Sequence, residues 1–136
     1  MYQFRLKKYI WEKLENYQHK EPINMKKNQY SIEHIMPQNI QHNLVWQKEL
    51  GENWQEVHEL YLHTLGNLTI TAYNAELSNR SFAEKLNNVG GFKDSHLRLN
   101  KTIAKFINWD SKAIQSRTNI LIDLFLKIWE YPYEKY

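Results

Sequence analysis

The sequence predicts a mainly helical α+β domain built around one short β-hairpin. Apolar residues recur at helical spacing along most of the chain. Period-2 alternation or β-prone composition is confined to two brief runs, residues 29–33 and 67–71, each bounded by proline, glycine or asparagine. With 136 residues, the chain fits one domain, which buries roughly two-thirds of the surface its unfolded form exposes and needs no disulfide or metal staple.

The elements follow in order. Residues 2–17 place Phe4, Ile10, Trp11, Leu14 and Tyr17 on one side with no proline or glycine between them, which predicts an amphipathic helix. Residues 20–28 are polar, contain Pro22 and read as a connector. The run 29–33 predicts a strand, and Pro37 just beyond it turns the chain into a loop. Residues 45–50 and 54–65 predict two short helices separated by Gly51. After Gly66, Leu68 and Ile70 alternate with polar neighbours, so 67–71 forms the second strand. Residues 74–88 turn helical, with Ser81 and Glu84 spaced as a capping box, and Gly90 and Gly91 end that helix. Residues 94–107 carry Leu99, Ile103, Phe106 and Ile107 on one face, with Arg98, Lys101 and Lys105 opposite. Asp110 caps a last helix whose stripe is Ile114, Leu121, Leu124, Phe125 and Ile128. The five tryptophans fall at helical spacing and are expected in the core.

Composition excludes several classes of chemistry. The absence of cysteine removes disulfide scaffolds, thiolate metal sites and thiol nucleophiles, and fits a reducing, cytoplasmic setting. Mean hydropathy is −0.73, and no stretch reads as a membrane span or a cleavable signal. Charge is unevenly spread. Residues 1–30 hold seven basic and three acidic side chains (+4), residues 31–79 one and six (−5), and residues 80–136 ten and six (+4). An acidic middle between basic flanks fits either a cation site within anion-binding surface or an ordinary mixed surface.

The densest chemical cluster is SIEHIMPQN, residues 31–39, where Glu33 and His34 are adjacent at the predicted strand end. Imidazole, with a reference pKa of about 6.5, takes a proton from water at neutral pH with little tuning. A carboxylate is a hard oxygen ligand for a divalent ion. Neighbouring strand residues face opposite sides, so both can serve one substrate atom only where the backbone leaves β geometry. The second cluster is LGNLTITAYNAELSN, residues 65–79. Asn67 opens the second strand, where its amide can tether a loop, and Asn74 follows that strand, where it can cap a helix or offer its carbonyl to a metal. His63 stands nearby, as a neighbour of the site or as a packed or capping histidine.

Strand, EHIMP, intervening segment, GNL, strand, asparagine and helix together resemble the ββα-metal (HNH, His-Me finger) nuclease motif. The chain most closely resembles the nuclease domain at the C-terminal end of GmrSD-type modification-dependent restriction endonucleases. HTLGNLTIT, YNAELSNRSFAEKL, Ser95, Trp109, Arg117 and Trp129 carry the likeness across most of residues 31–129. It implies a ββα-metal core in residues 29–88, preceded by a helix and connector (1–28) and followed by C-terminal helices (94–130). It also implies an N-terminal NTP-using domain in the full-length protein, of which residues 1–136 would be a C-terminal fragment.

By the same resemblance, the activity is metal-dependent hydrolysis of DNA phosphodiester bonds in restriction of foreign or modified DNA. His34 would be the general base. Glu33 and Asn74 would hold one divalent cation, Mg²⁺ or alternatively Mn²⁺, and Asn67 would fix the hairpin and orient His34. Two departures from the broader motif stand out: Glu33 replaces the commoner aspartate, and the interval from Asn67 to Asn74 is short, which admits Asn79 as ligand in place of Asn74. The alternative is a catalytically inactive nucleic-acid-binding or assembly module of the same fold. Because residues 31–79 would repel a polyanion, DNA contacts are expected at Arg80, Lys85, Arg98, Lys101, Lys105 and Arg117. Arg117 falls inside the apolar stripe of the last helix, which asks for a buried acidic partner, favoured here, or a phosphate.

Overall fold

The computed structural model describes residues 2–18, 22–24, 30–72, 79–89 and 91–129. Helix α1 (Tyr2–Asn16) buries Trp11 and Leu14. Its last residue holds the following connector: Asn16 Nδ2 donates to Ile23 O at 2.8 Å, and Asn16 Oδ1 accepts from Ile23 N at 2.7 Å. Strands β1 (Tyr30–His34) and β2 (Leu68–Ala72) pair antiparallel, with Ile32 opposite Ile70, Glu33 opposite Thr69 and His34 opposite Leu68. They form a two-stranded sheet, as the two β-prone runs predict, with each strand displaced by one residue toward the C-terminus.

Between the strands lie α2 (Leu44–Leu50) and α3 (Trp54–Tyr61). Asn43 caps α2 by accepting from Trp46 N at 3.2 Å, and Gly51, at φ 98°, ends it in a conformation glycine adopts without penalty. Helix α3 stops at Tyr61, short of the predicted residue 65. The Thr64 hydroxyl bonds back to Tyr61 O at 2.8 Å, and Leu65–Asn67 form a 3₁₀ turn. Asn67 therefore precedes β2.

After β2 comes α4 (Phe82–Asn87), with the predicted Ser81–Glu84 capping box complete. The earlier part of the predicted helix, residues 74–78, lies outside the described residues. The helix expected over 94–107 is shorter than its pattern. Phe92–Asp94 make a 3₁₀ turn, residues 95–97 are extended, and α5 occupies only Arg98–Ile103. A tertiary cap sets this start, because the buried Glu15 carboxylate accepts from Arg98 N (2.7 Å) and Leu99 N (3.0 Å). With α5 finished at Ile103, Ile107 falls off the apolar face and is 90% exposed. Helix α6 (Ser111–Ile128) starts on the Asp110 cap, which accepts from Ala113 N at 3.0 Å. Ile114 and Leu121 of its stripe are buried, whereas Phe125 is exposed.

Two apolar clusters result. One joins the loop after β1 (Ile35, Met36, Ile40) to Trp46, Phe82, Phe92, Trp109 and Ile114. The other packs α1 against the sheet, α5 and α6 through Trp11, Leu14, Ile70, Leu99 and Leu121. Of the five tryptophans expected in the core, Trp11, Trp46 and Trp109 are buried, whereas Trp54 and Trp129 are only partly so. Helix α6 spans both clusters, and at Gly66 it approaches the 3₁₀ turn so closely that a Cβ there would lie 2.2 Å from Ile114 O and Thr118 Oγ1. The Thr118 hydroxyl accepts from Gly66 N at 3.0 Å.

Candidate active site

Asn67 organises the end of the hairpin. Its side chain is fully buried and uses all of its hydrogen-bonding capacity. Oδ1 accepts from Met36 N (2.8 Å) and from Trp109 Nε1 (3.0 Å). Nδ2 donates to Met36 O (3.1 Å) and Leu62 O (2.9 Å), while the backbone carbonyl accepts from Ile35 N at 2.8 Å. One amide thus ties together the chain just after His34 and the residue just before His63. Pro37 starts a path no helix can follow, and His58 Nε2 bonds Pro37 O at 2.9 Å to hold that path against α3.

His34 is half-buried at the last position of β1. Its Nε2 lies 3.2 Å from His63 Nδ1, with the two rings edge to face at a centroid distance of 5.2 Å. Its Nδ1 lies 3.2 Å from Gln38 Nε2. Glu33 is also half-buried, within β1, where alternation turns consecutive side chains to opposite faces; the bend begins only at Ile35.

Burial raises the Glu33 carboxyl above the usual carboxylate range, and the nearby Lys85 ammonium partly offsets the rise. Lys85 is fully buried and donates to His34 O and Ile35 O, both at 2.9 Å. Burial pulls it down to about 8, against the opposing pull of Glu33.

The other predicted residues separate by position. Asn74 lies outside the described residues. Asn79 is exposed, and its backbone carbonyl accepts from Asn43 Nδ2 at 3.2 Å. Arg80, Lys101 and Lys105 are exposed; Arg80 lies 3.5 Å from Glu84 Oε2. Arg98 is exposed and donates to Tyr17 O.

Lys85 and Arg117 correct the expectation of DNA contact, since both side chains are fully buried and committed to internal acceptors. Arg117 also corrects the expected ion pair. Its guanidinium donates to Gly66 O (2.9 Å), Leu68 O (2.5 Å), Thr69 Oγ1 (3.2 Å) and, through Nε, Thr102 Oγ1 (3.2 Å). Burial pulls it down to about 9. Its partners are carbonyls and hydroxyls of the turn, β2 and α5, so it ties α6 to the hairpin.

Sequence reasoning missed two neighbours of the site. Gln38 follows His34 by four residues, and only the turn after Pro37 brings it back onto the ring. Lys85 sits in an ordinary amphipathic helix, where nothing local distinguishes a lysine that fills the core from one on the surface.

The donor chemistry fits a hard divalent cation held in part by substrate. Among the described residues no three His, Cys, Asp or Glu side chains gather as a complete metal site. Glu33, however, is a half-buried carboxylate whose negative charge its surroundings only partly offset. Mg²⁺ keeps several waters and needs only one or two carboxylates plus a phosphate.

A mainly helical α+β domain whose hairpin carries a pair of histidines at the end of β1, and a half-buried carboxylate one residue earlier on the other face of that strand, has the residue types of an acid–base hydrolase site. The chain belongs to the GmrSD restriction endonucleases, C-terminal domain, whose family model matches residues 2–124. It is therefore a domain of the restriction-endonuclease class, with DNA as the substrate that class indicates. No curated protein and no solved structure matches the chain significantly. No helix among the described residues is long and apolar enough to cross a membrane.

Proposed function

We propose that this domain is an HNH-type, metal-dependent endonuclease that hydrolyses DNA phosphodiester bonds in the restriction of foreign or modified DNA. The observation that carries the reading is the placement of His34 at the end of β1, on a loop pinned by Asn67, in a chain of the restriction-endonuclease family. His34 takes the proton from the attacking water. Asn67 acts through the backbone, holding Met36 so that the imidazole keeps one position. Lys85 braces the same bend by binding the carbonyls of His34 and Ile35.

Glu33, with Asn74 or in its place Asn79, would hold one divalent cation, Mg²⁺ or alternatively Mn²⁺. When bound, that cation supplies positive charge beside a phosphate that otherwise repels an incoming hydroxide. With one carboxylate in the set, metal affinity is weak until a phosphate oxygen joins it. Arg80, Arg98, Lys101 and Lys105 are exposed cations that would meet the DNA backbone. An N-terminal NTP-using domain in the full-length protein and a cytoplasmic setting belong to the same proposal; the family's description as a C-terminal domain supports a preceding domain.

The test is conversion of supercoiled plasmid to open circles at low salt, with Mg²⁺ or Mn²⁺ and with EDTA. Cleavage that needs the metal supports the reading. Salt-sensitive DNA binding without cleavage would replace it with a non-catalytic binding module of the same fold.

A further inference from the structure

We propose that His63 is a positioning residue for His34: it accepts a hydrogen bond from His34 Nε2 and thereby leaves Nδ1 as the nitrogen that takes the proton from water. This rests on the nuclease reading above and adds to it the residue that, with Gln38, holds the His34 ring in one tautomer.

Donor and acceptor types fix the direction of the bonds. Gln38 Nε2 carries only hydrogens, so at 3.2 Å it donates to His34 Nδ1. A neutral imidazole whose Nδ1 accepts must carry its hydrogen on Nε2. Nε2 then donates to His63 Nδ1, 3.2 Å away, which places the hydrogen of a neutral His63 on its own Nε2. The three side chains form a one-way series, Gln38 to His34 to His63. At its centre stands a lone pair on His34 Nδ1 already approached by a donor, as it would be by the O–H of a water displacing the Gln38 amide.

His63 is placed for this purpose by the backbone around it. The preceding carbonyl, Leu62 O, accepts from Asn67 Nδ2 at 2.9 Å, and Leu62 N closes α3 on His58 O at 3.1 Å. On the other side, Thr64 bonds Tyr61 O through both its hydroxyl (2.8 Å) and its amide (3.2 Å). Asn67 also clamps Met36, so both imidazoles hang from loops that share one buried amide. Their meeting is thus built into the fold at both ends, although the two residues are 29 apart in sequence.

The test compares the wild-type chain with His63→Leu, His63→Gln and His34→Ala, and with the two His63 variants in a Gln38→Ala background, all checked for folding by circular dichroism. Single-turnover plasmid cleavage in Mg²⁺ is read alongside the ¹⁵N resonances of the His34 ring, at one pH where the ring is neutral. His63→Leu should lower the single-turnover rate constant by roughly 10–100-fold with DNA affinity unchanged, the size seen when a partner that orients a functional histidine is removed. With Gln38→Ala added, which takes away the donor on Nδ1, its His34 ring should become a mixture of tautomers. His63→Gln, whose Oε1 can accept from Nε2, should recover most of the rate and the single Nε2–H tautomer. The proposal is overturned if His63→Leu keeps the wild-type single-turnover rate, or if the His34 ring of the Gln38→Ala, His63→Leu double variant retains the Nε2–H tautomer alone. Cleavage by the wild type, none by His34→Ala and unchanged cleavage by His63→Leu would sink this proposal and spare the nuclease reading. No cleavage by the wild type would sink both.

Discussion

Replacing Asn67 with alanine removes four side-chain hydrogen bonds at once, to Met36 N, Met36 O, Leu62 O and Trp109 Nε1. At about 0.5–1.5 kcal/mol net for each bond the loss is about 2–6 kcal/mol, and the upper half applies because the deserted partners are left without water around a buried site. A domain of this size has a total stability of about 5–15 kcal/mol, so Asn67→Ala should remain folded but with a much reduced margin. The midpoint of thermal unfolding should drop by roughly 10–20 °C. Urea denaturation with an unchanged m-value measures the difference directly. Asn67→Asp should be no better, because it sets carboxylate oxygens against Met36 O and Leu62 O where Nδ2 now donates. A loss below about 1 kcal/mol for Asn67→Ala would refute the claim that this amide is the tie between the two histidine loops.

Other consequences follow from the same packing. Gly66→Ala forces a Cβ to within 2.2 Å of Ile114 O, a backbone atom of α6, and should destabilise by about 1–3 kcal/mol or more in urea melts. Lys85 is pulled below its ordinary pKa to about 8, so between that value and its unfolded pKa near 10.5 the unfolded chain binds more protons than the native one. Its contribution therefore makes stability rise with pH through that window. In EDTA, the pH slope of the unfolding free energy should be shallower in Lys85→Met than in wild type, and identical slopes would contradict the assignment. Lys101→Gln with Lys105→Gln should weaken DNA binding at every sequence tested and lower the salt slope by roughly 1 for each phosphate no longer neutralised, as read by fluorescence anisotropy.

The hairpin, the capping box at Ser81 and the Asp110 cap were legible because each depends on residues close together in sequence. The boundaries of α5 were not. Its pattern extends over 94–107, but its start is set by Glu15 of α1, more than eighty residues away, and no local pattern encodes that pairing. Arg117 shows the same limit. Its position in an apolar stripe announces burial, and the sequence then favours a carboxylate as its partner. The carbonyls of Gly66, in the 3₁₀ turn, and Leu68, at the start of β2, take that place. At the site, the motif marks Glu33, His34 and Asn67 as residue types and leaves His63 open as a neighbour; the fold sets His63 against the His34 ring and adds Gln38 and Lys85, which only the bend after β1 brings there.

Geometry also sharpens the electrostatic picture. The acidic middle of the chain contains a carboxylate, Glu33, whose charge burial penalises and one buried ammonium offsets in part. The cations proposed to meet a polyanion, Arg80, Arg98, Lys101 and Lys105, are among those left outside, while Lys85 and Arg117 serve the fold. In the proposed enzyme, attraction of DNA and organisation of the reacting groups are therefore assigned to different basic residues.

Plasmid cleavage by His34→Ala, with and without added imidazole and beside the wild type in Mg²⁺, probes the role of that ring most directly. The expected loss is on the order of 10²–10⁴-fold in rate with DNA affinity retained, and imidazole from solution should restore part of it. Cleavage by His34→Ala at the wild-type rate would show that water is activated elsewhere.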